Sequence, residues 1–196
     1  MSFSYLCPVK IHLAIFASGS GTNANAIMQY FESHPKIKVA LVVTNKPQAG
    51  VIGVAKKWNV PSLVINKQQL QDEEFLLGEL KKHTVNWIIL AGFMVMIPPF
   101  LVQAFNDKMI NIHPALLPKF GGKGMYGRNV HEAVIKTGEK KSGITIHFVN
   151  EKYDEGKIIF QAETVIEPNE TIESLEHKIH KLEHANYPSV IEKLVL

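Results

Sequence analysis

Short apolar runs recur through the first half of the chain, and helical spacing follows each of them. The runs are Ile11 to Ala17 (IHLAIFA), Val39 to Thr44 (VALVVT), Pro61 to Ile65 (PSLVI) and Trp87 to Leu90 (WIIL). Most are apolar almost throughout, as strands buried on both faces are. Between them come Ala26, Ile27, Tyr30 and Phe31, then Val51 to Trp58, then Gln68 to His83 with Leu70, Phe75, Leu76, Leu77 and Leu80. These sets leave a polar face opposite an apolar one. Parallel strands cannot be joined by a tight turn and need a crossover, usually a helix. Alternating strands and helices therefore predict an α/β fold with a parallel, doubly wound sheet. Such sheets bind ligands beyond the carboxyl ends of their strands.

The fifth strand is expected in Met109-Ile110-Asn111-Ile112-His113, which runs into Pro114-Ala115-Leu116-Leu117-Pro118. Residues two apart on a strand share a face, so Asn111 and His113 project side by side at its carboxyl end. Such a pair is either a hydrogen-bonded buried couple or a working one, with an amide donor beside a group that titrates near pH 7. Lys119 to Arg128 (KFGGKGMYGR) lacks periodicity and reads as a loop over that strand end, followed by a short helix from Val130 to Lys136. Thr145 to Val149 and Ile158 to Val165 read as a strand-loop-strand addition, joined by the acidic turn Asn150 to Gly156. The last helix is expected from an N-cap at Thr171 to Leu194, with Ile172, Leu175, Ile179 and Leu182 as its buried stripe. Glu183 falls on the edge of that stripe, and Pro188 is expected to break or kink the helix.

The 196 residues suit one domain from residue 11 to 196, preceded by a leader of residues 1–10. No repeat or linker divides the chain. The leader lacks the basic start, apolar stretch and small-residue cleavage site of a signal peptide. The longest apolar run, Trp87 to Ile97, is too short to span a bilayer. Cys7 is the only cysteine, which points to a reducing, cytoplasmic setting. A net charge of +3 suits small anionic substrates and is too weak to argue for nucleic acid. No metal-ligand spacing is present.

Ser18-Gly19-Ser20-Gly21-Thr22-Asn23 joins the first strand to the first helix. A glycine-rich turn at a helix start either simply makes the corner or aims backbone N–H groups at an anion. It is neither a P-loop, for want of Gly-Lys-Ser/Thr, nor a dinucleotide fingerprint, for want of a third glycine. Phe93, Met94, Met96 and Ile97 are either core or the wall of a pocket for a flat ligand.

These stretches resemble the folate-dependent formyltransferase family. The resemblance rests on ASGSGTN (Ala17–Asn23), LAGFM (Leu90–Met94), NIHPALLPKF (Asn111–Phe120), GITIHFVNEKYDEGKIIFQ (Gly143–Gln161) and EHANYP (Glu183–Pro188). Asn-x-His-Pro-x-Leu-Leu-Pro with a later Asp-Glu-Gly marks the family, and the Ser-Gly-x-Gly-Thr-Asn loop narrows it to the glycinamide branch. The implied fold is a Rossmann-like sheet, parallel in its N-terminal half, with an antiparallel strand addition and a C-terminal helix.

The resemblance also implies roles. Asn111, His113 and Asp154 would be the catalytic trio. Gly21, Thr22, Asn23 and Ala24 would hold the acceptor's phosphate, and Glu183 its glycinamide end. Met94, Val95, Met96 and Ile97, together with Asn111, Asn150, Tyr153 and Asp154, would line the site of 10-formyltetrahydrofolate, the co-substrate. The implied reaction passes the formyl group to the amine of 5-phosphoribosylglycinamide in purine synthesis, by direct attack through a tetrahedral intermediate and without a metal. The implied partners are small molecules, not nucleic acid or membrane, and the implied state is a monomer or homodimer.

Three departures stand out. Val95 occupies a position that is often basic in the family. No arginine lies near Gln69, where a folate-contacting one is expected, although Lys67 is close. The loop after Phe120 is longer and richer in glycine. Rival readings are a formyl transfer to initiator tRNA, which would need a further C-terminal RNA-binding domain, and a formyltetrahydrofolate hydrolase, which would need a regulatory domain ahead of Ile11. A non-catalytic nucleotide- or folate-binding module is the third. It leaves the joint presence of Asn111, His113 and Asp154 without a reason.

Overall fold

A computed structural model describes residues 10–196; the expected leader lies outside the described residues except for Lys10. Seven strands form one sheet: β1 (Ile11–Phe16), β2 (Ile37–Thr44), β3 (Ser62–Val64), β4 (Trp87–Leu90), β5 (Met109–His113), β6 (Lys141–Phe148) and β7 (Ile158–Val165). Their spatial order is β3-β2-β1-β4-β5-β6-β7. The first five run parallel, whereas β6 and β7 join antiparallel. The order reverses direction at β1 and β4. That switch point opens the crevice in which open α/β sheets take ligands.

Seven helices cover the sheet: α1 (Thr22–Phe31), α2 (Gly50–Lys57), α3 (Lys67–Gln71), α4 (Glu73–Lys82), α5 (Pro99–Ala104), α6 (Arg128–Lys136) and α7 (Ile172–Val195). Alternate residues of each central strand feed opposite cores. Leu13 and Ile15 of β1 pack with α1, α2, α6 and α7, while Ala14 and Phe16 pack with α3, α4 and α5. This two-sided burial is why β1 and β2 read as continuous apolar runs.

Four expectations change. The single helix expected over Gln68 to His83 is two helices, α3 and α4. Asp72 sits between them in an extended conformation, and its side chain accepts from the Phe75 N–H at 3.0 Å as the N-cap of α4. An Asx cap competes with helix continuation, and here it wins. Strand β6 starts at Lys141, before the expected Thr145. Its Gly143 has a local reason: a Cβ there would lie 2.0 Å from the Ala162 carbonyl oxygen of β7. Helix α7 continues through Pro188. The proline removes one backbone donor without breaking the helix, and Tyr187 and Ile191 on either side are fully buried and anchor both halves. Finally, Glu183 is not at the rim of the α7 stripe but inside it, at 5% exposure, while Ile172 and Leu182 are only half-buried.

Tyr187 fixes the depth of α7. Its hydroxyl donates to the Leu90 carbonyl at 2.9 Å and approaches that of Ile110 at 3.4 Å, on the neighbouring parallel strands β4 and β5. A buried tyrosine needs such a partner, and here the partners are sheet carbonyls.

Candidate active site

A cavity of about 580 Å³ opens over the carboxyl ends of β1, β4 and β5. The loop after β1, the segment after β4, the end of β5, the loop before α6, the turn after β6 and one face of α7 line it.

At one end stands the turn into α1. Gly21 has φ +81°, and a Cβ there would come within 2.8 Å of Val51, so both backbone and neighbour require glycine. Gly21 is the N-cap of α1 and supplies no side-chain acceptor. The first N–H groups of a helix have no intrahelical partner, so this end is open to an anion. Asn23 turns its amide sideways, and Nδ2 donates to Glu183 Oε2 at 2.8 Å. Burial raises the Glu183 carboxyl, opposed by Asn23, to about 7. Asn23 Oδ1 has no partner. A buried carboxyl beside an amide oxygen with no partner among the described residues forms a polar socket next to the uncapped start of α1.

At the other end the strand pair brings four side chains together. In the antiparallel register Asn111 of β5 stands opposite His147 of β6. Asn111 Nδ2 donates to His147 Nε2 at 3.2 Å, while His147 Nδ1 donates to the Phe148 carbonyl at 2.8 Å. A carbonyl can only accept, so this bond fixes the His147 tautomer and leaves Nε2 to receive the amide. One amide hydrogen of Asn111 is thereby spent, and the other remains for a ligand. His113, two residues on, is 3% exposed; its Nε2 donates to the Phe120 carbonyl at 2.8 Å.

Asp154 lies between the two histidines. Its carboxylate oxygens stand 3.6 Å from His113 Nδ1 and 3.6 Å from His147 Nε2, and Oδ2 accepts from the Gly122 N–H at 2.9 Å. The turn is held for this purpose by Gly156, where a Cβ would collide with the Phe148 carbonyl oxygen at 1.7 Å. Burial raises the Asp154 carboxyl, but His147 and His113, which attract its charge when they are protonated, and the Gly122 N–H outweigh it and keep it below its ordinary value. Burial also lowers the His113 imidazole more than Asp154 and the Phe120 carbonyl raise it. An upward push from Asp154 is present, yet desolvation wins and the neutral form is favoured.

Between these ends the chain after β4 forms a wall. The Met94 N–H donates to Ser18 Oγ at 3.0 Å, and Ser18 Oγ donates to Asn45 Oδ1 at 2.6 Å. That N–H is therefore spent within the protein, leaving the Met94 carbonyl and its neighbours toward Ile97 for a ligand. Val95, Met96 and Ile97 line the same cavity, as do Asn150 and Tyr153. Asn150 is exposed, and its Oδ1 accepts from the Lys152 N–H. Lys67, Gln69 and their helix α3 are absent from the lining. Among the described residues no group of three His, Cys, Asp or Glu is placed to hold a metal, and no helix is long and apolar enough to cross a membrane.

All the site residues singled out in the sequence border this cavity except Ala24, which is buried at the third position of α1. Ser18, His131 and His147 were missed. His147 sits in the recognisable GITIHFVN segment, but only the pairing of β5 with β6 reveals that it faces Asn111. Ser18 lies in the glycine-rich motif, but its bonds to Met94 and Asn45 are long-range, and His131 carries no motif of its own.

With this geometry in place, comparison with known proteins is informative. The family model described as formyl transferase matches residues 11–191. A phosphoribosylglycinamide formyltransferase of Bacillus subtilis is 41% identical over 187 residues, covering 93% of each chain. The chloroplastic phosphoribosylglycinamide formyltransferase of Arabidopsis thaliana is 40% identical over 94% of this chain, which spans 65% of that relative's length. Among solved structures, glycinamide ribonucleotide transformylase 1 of Geobacillus kaustophilus superposes with a TM-score of 0.86 at 40% identity, covering 94% of this chain and 98% of that one.

Proposed function

The chain belongs to the formyl transferase family, and from that premise we propose that it transfers the formyl group of 10-formyltetrahydrofolate to the amine of 5-phosphoribosylglycinamide. The observation that carries this reading is the convergence of Asn111, His113 and Asp154 at one end of a cavity whose other end is an uncapped helix start. The site would act as part of one formyltransferase domain beginning at residue 11, working on two small molecules in the cytoplasm.

The acceptor's phosphate would lie on the first N–H groups of α1, with Thr22, Asn23 and Ala24 around it. Its ammonium end would meet Glu183, whose buried carboxyl ionises readily only when a cation arrives to replace its lost hydration. The donor's flat ring would stand against Met94 to Ile97 and the turn Asn150 to Asp154, where the wall offers apolar surface and free backbone groups.

The amine then attacks the formyl carbon directly, so no protein nucleophile is required. The unspent N–H of Asn111 is placed to donate to the oxygen of the tetrahedral adduct as negative charge develops on it, an orientation that His147 holds in advance. The adduct's nitrogen must lose a proton and the departing nitrogen must gain one. His113, neutral at rest and faced by a carboxylate that stabilises its charged form, is suited to carry that proton across.

The test is a formyl-transfer assay in which purified protein and labelled donor are offered glycinamide ribonucleotide, initiator tRNA or water. Formylation of the ribonucleotide is the expected outcome. Transfer to tRNA alone, or hydrolysis alone, would reject the assignment.

A further inference from the structure

The proton balance of this reaction needs more than one exit, and the inference below rests on the reading just given. An amine with a pKa of about 8 reaches the enzyme near neutrality largely as an ammonium. Its nitrogen starts with three hydrogens and ends, in the formamide, with one. Two protons leave it. One goes to the departing folate nitrogen and the other must go to solvent. His113 can account for the first. Its one free ring nitrogen, Nδ1 beside Asp154, is taken up by that transfer, because Nε2 is given to the Phe120 carbonyl, so the second proton needs another carrier.

A second imidazole borders the same cavity. His131, on α6, is 2% exposed, and its Nδ1 has no hydrogen-bond partner among the described residues. Buried polar groups are almost always paired, so an imidazole with an unpaired ring nitrogen, set in the wall of a substrate cavity, is a group to ask for proton exchange there. The charged and titratable groups that act on it are Glu176 and His180 of α7 and His113 of β5. Glu176 and His180 also line the cavity and are half-buried, so the polarity steps outward from His131 toward water. Glu176 also acts on Glu183, which sets this group beside the acceptor's end of the cavity.

We propose that His131 is a further catalytic residue: it takes from the bound acceptor the first ammonium proton, and Glu176 with His180 leads that proton to solvent. The ammonium N–H bond breaks, its electron pair stays on nitrogen as the nucleophile, and the proton bonds to the imidazole ring. Glu183 cannot do this work alone, because a carboxylate facing an ammonium stabilises the charged, unreactive form. Burial keeps the His131 ring neutral, the form that accepts a proton, and the Glu176 carboxylate then favours the imidazolium.

The experiment is a pH series of kcat/KM for the acceptor, with wild type, His131→Gln, His131→Asn and His113→Asn. Near pH 7 the His131 variants should be about 10²-fold slower, at the low end for loss of a general base, with the KM for the donor unchanged. Above the amine's pKa of about 8 the acceptor arrives neutral, and the gap should close to a few-fold. The His113→Asn gap should persist at every pH. A His131 gap that is absent, or constant with pH on an active wild type, overturns this inference alone. A wild type that formylates no ribonucleotide overturns it together with the proposed function. If neither His131 variant folds, the wild-type protein decides: nitrogen-labelled histidine should show the His131 ring taking up a proton when acceptor is added without donor, and an unchanged ring overturns the idea.

Discussion

The two ends of the cavity are built by different means. The acceptor end is made mainly of backbone: a glycine-rich corner, the uncapped start of α1 and one buried carboxyl from α7. The formyl-transfer end is made of side chains from two antiparallel strands and a turn, Asn111, His113, His147 and Asp154, each held by another protein group. Backbone donors tolerate side-chain change, whereas a cluster of side chains fails with its weakest member. The same enzyme should therefore be fragile at one end and graded at the other.

The sharpest way to break this contrast is Asp154→Asn. It keeps the acceptor for the Gly122 N–H and removes the charge between the histidines. Turnover should fall roughly 10²–10⁴-fold, the range for disabling proton transfer, with little change in melting temperature. His113→Asn should cost a similar amount, and the double variant only slightly more, because residues acting as one unit are not additive. Steady-state kinetics of the three variants and a thermal melt decide it, and full activity in Asp154→Asn would return the turn to a passive role.

At the acceptor end Glu183→Gln tests burial. The folded pKa of about 7 lies above the ordinary 4.5, so keeping this group charged in the empty protein costs nothing below pH 4.5 and its full amount above pH 7. At about 1.36 kcal/mol per unit the cost approaches roughly 3 kcal/mol. The glutamine variant should melt higher than wild type at alkaline pH, converge with it in acid, and bind the acceptor worse at both. A melting advantage that is independent of pH would show that something other than ionisation is at work.

Asn23→Ala should raise the KM for the ribonucleotide about tenfold, worth one or two hydrogen bonds, and leave that for the donor near its original value. Equal effects on both substrates would erase the division of the cavity into two ends. The smallest change is expected from Ser18→Ala, which frees the Met94 N–H. It should cost about 1 kcal/mol in a denaturant titration and weaken donor binding slightly, without touching the acceptor.

The same contrast explains what the sequence disclosed. Strands with both faces buried write their presence in unbroken apolar runs, so β1, β2 and β4 and the corner at Gly21 were legible. The i, i+2 spacing of Asn111 and His113 was legible for the same local reason. The split at Asp72 was not, because a one-residue cap interrupts an otherwise helical pattern. Nor was the start of β6, where Lys141, Ser142 and Gly143 lack apolar alternation and Gly143 is needed only because β7 passes so close. His147 and His131 were invisible because their meaning is a register and a cavity wall, both long-range facts. Glu183 and Pro188 were misread because α7 packs against α1 and the sheet around its middle, burying what an isolated helix would leave at its rim.

Tyr187 carries a last consequence. It follows Glu183 by four residues, about one helical turn or 6 Å along the axis. Its hydroxyl bridges toward the carbonyls of Leu90 and Ile110, and the residue after Ile110 is Asn111. The carboxyl proposed to meet the amine and the amide proposed to meet the oxyanion are thus surveyed from one benchmark. Changes in the surrounding loops leave that gauge unaltered. The distance an acceptor must span between its grip and its point of attack is set by a single phenol, like the fixed jaw of a caliper.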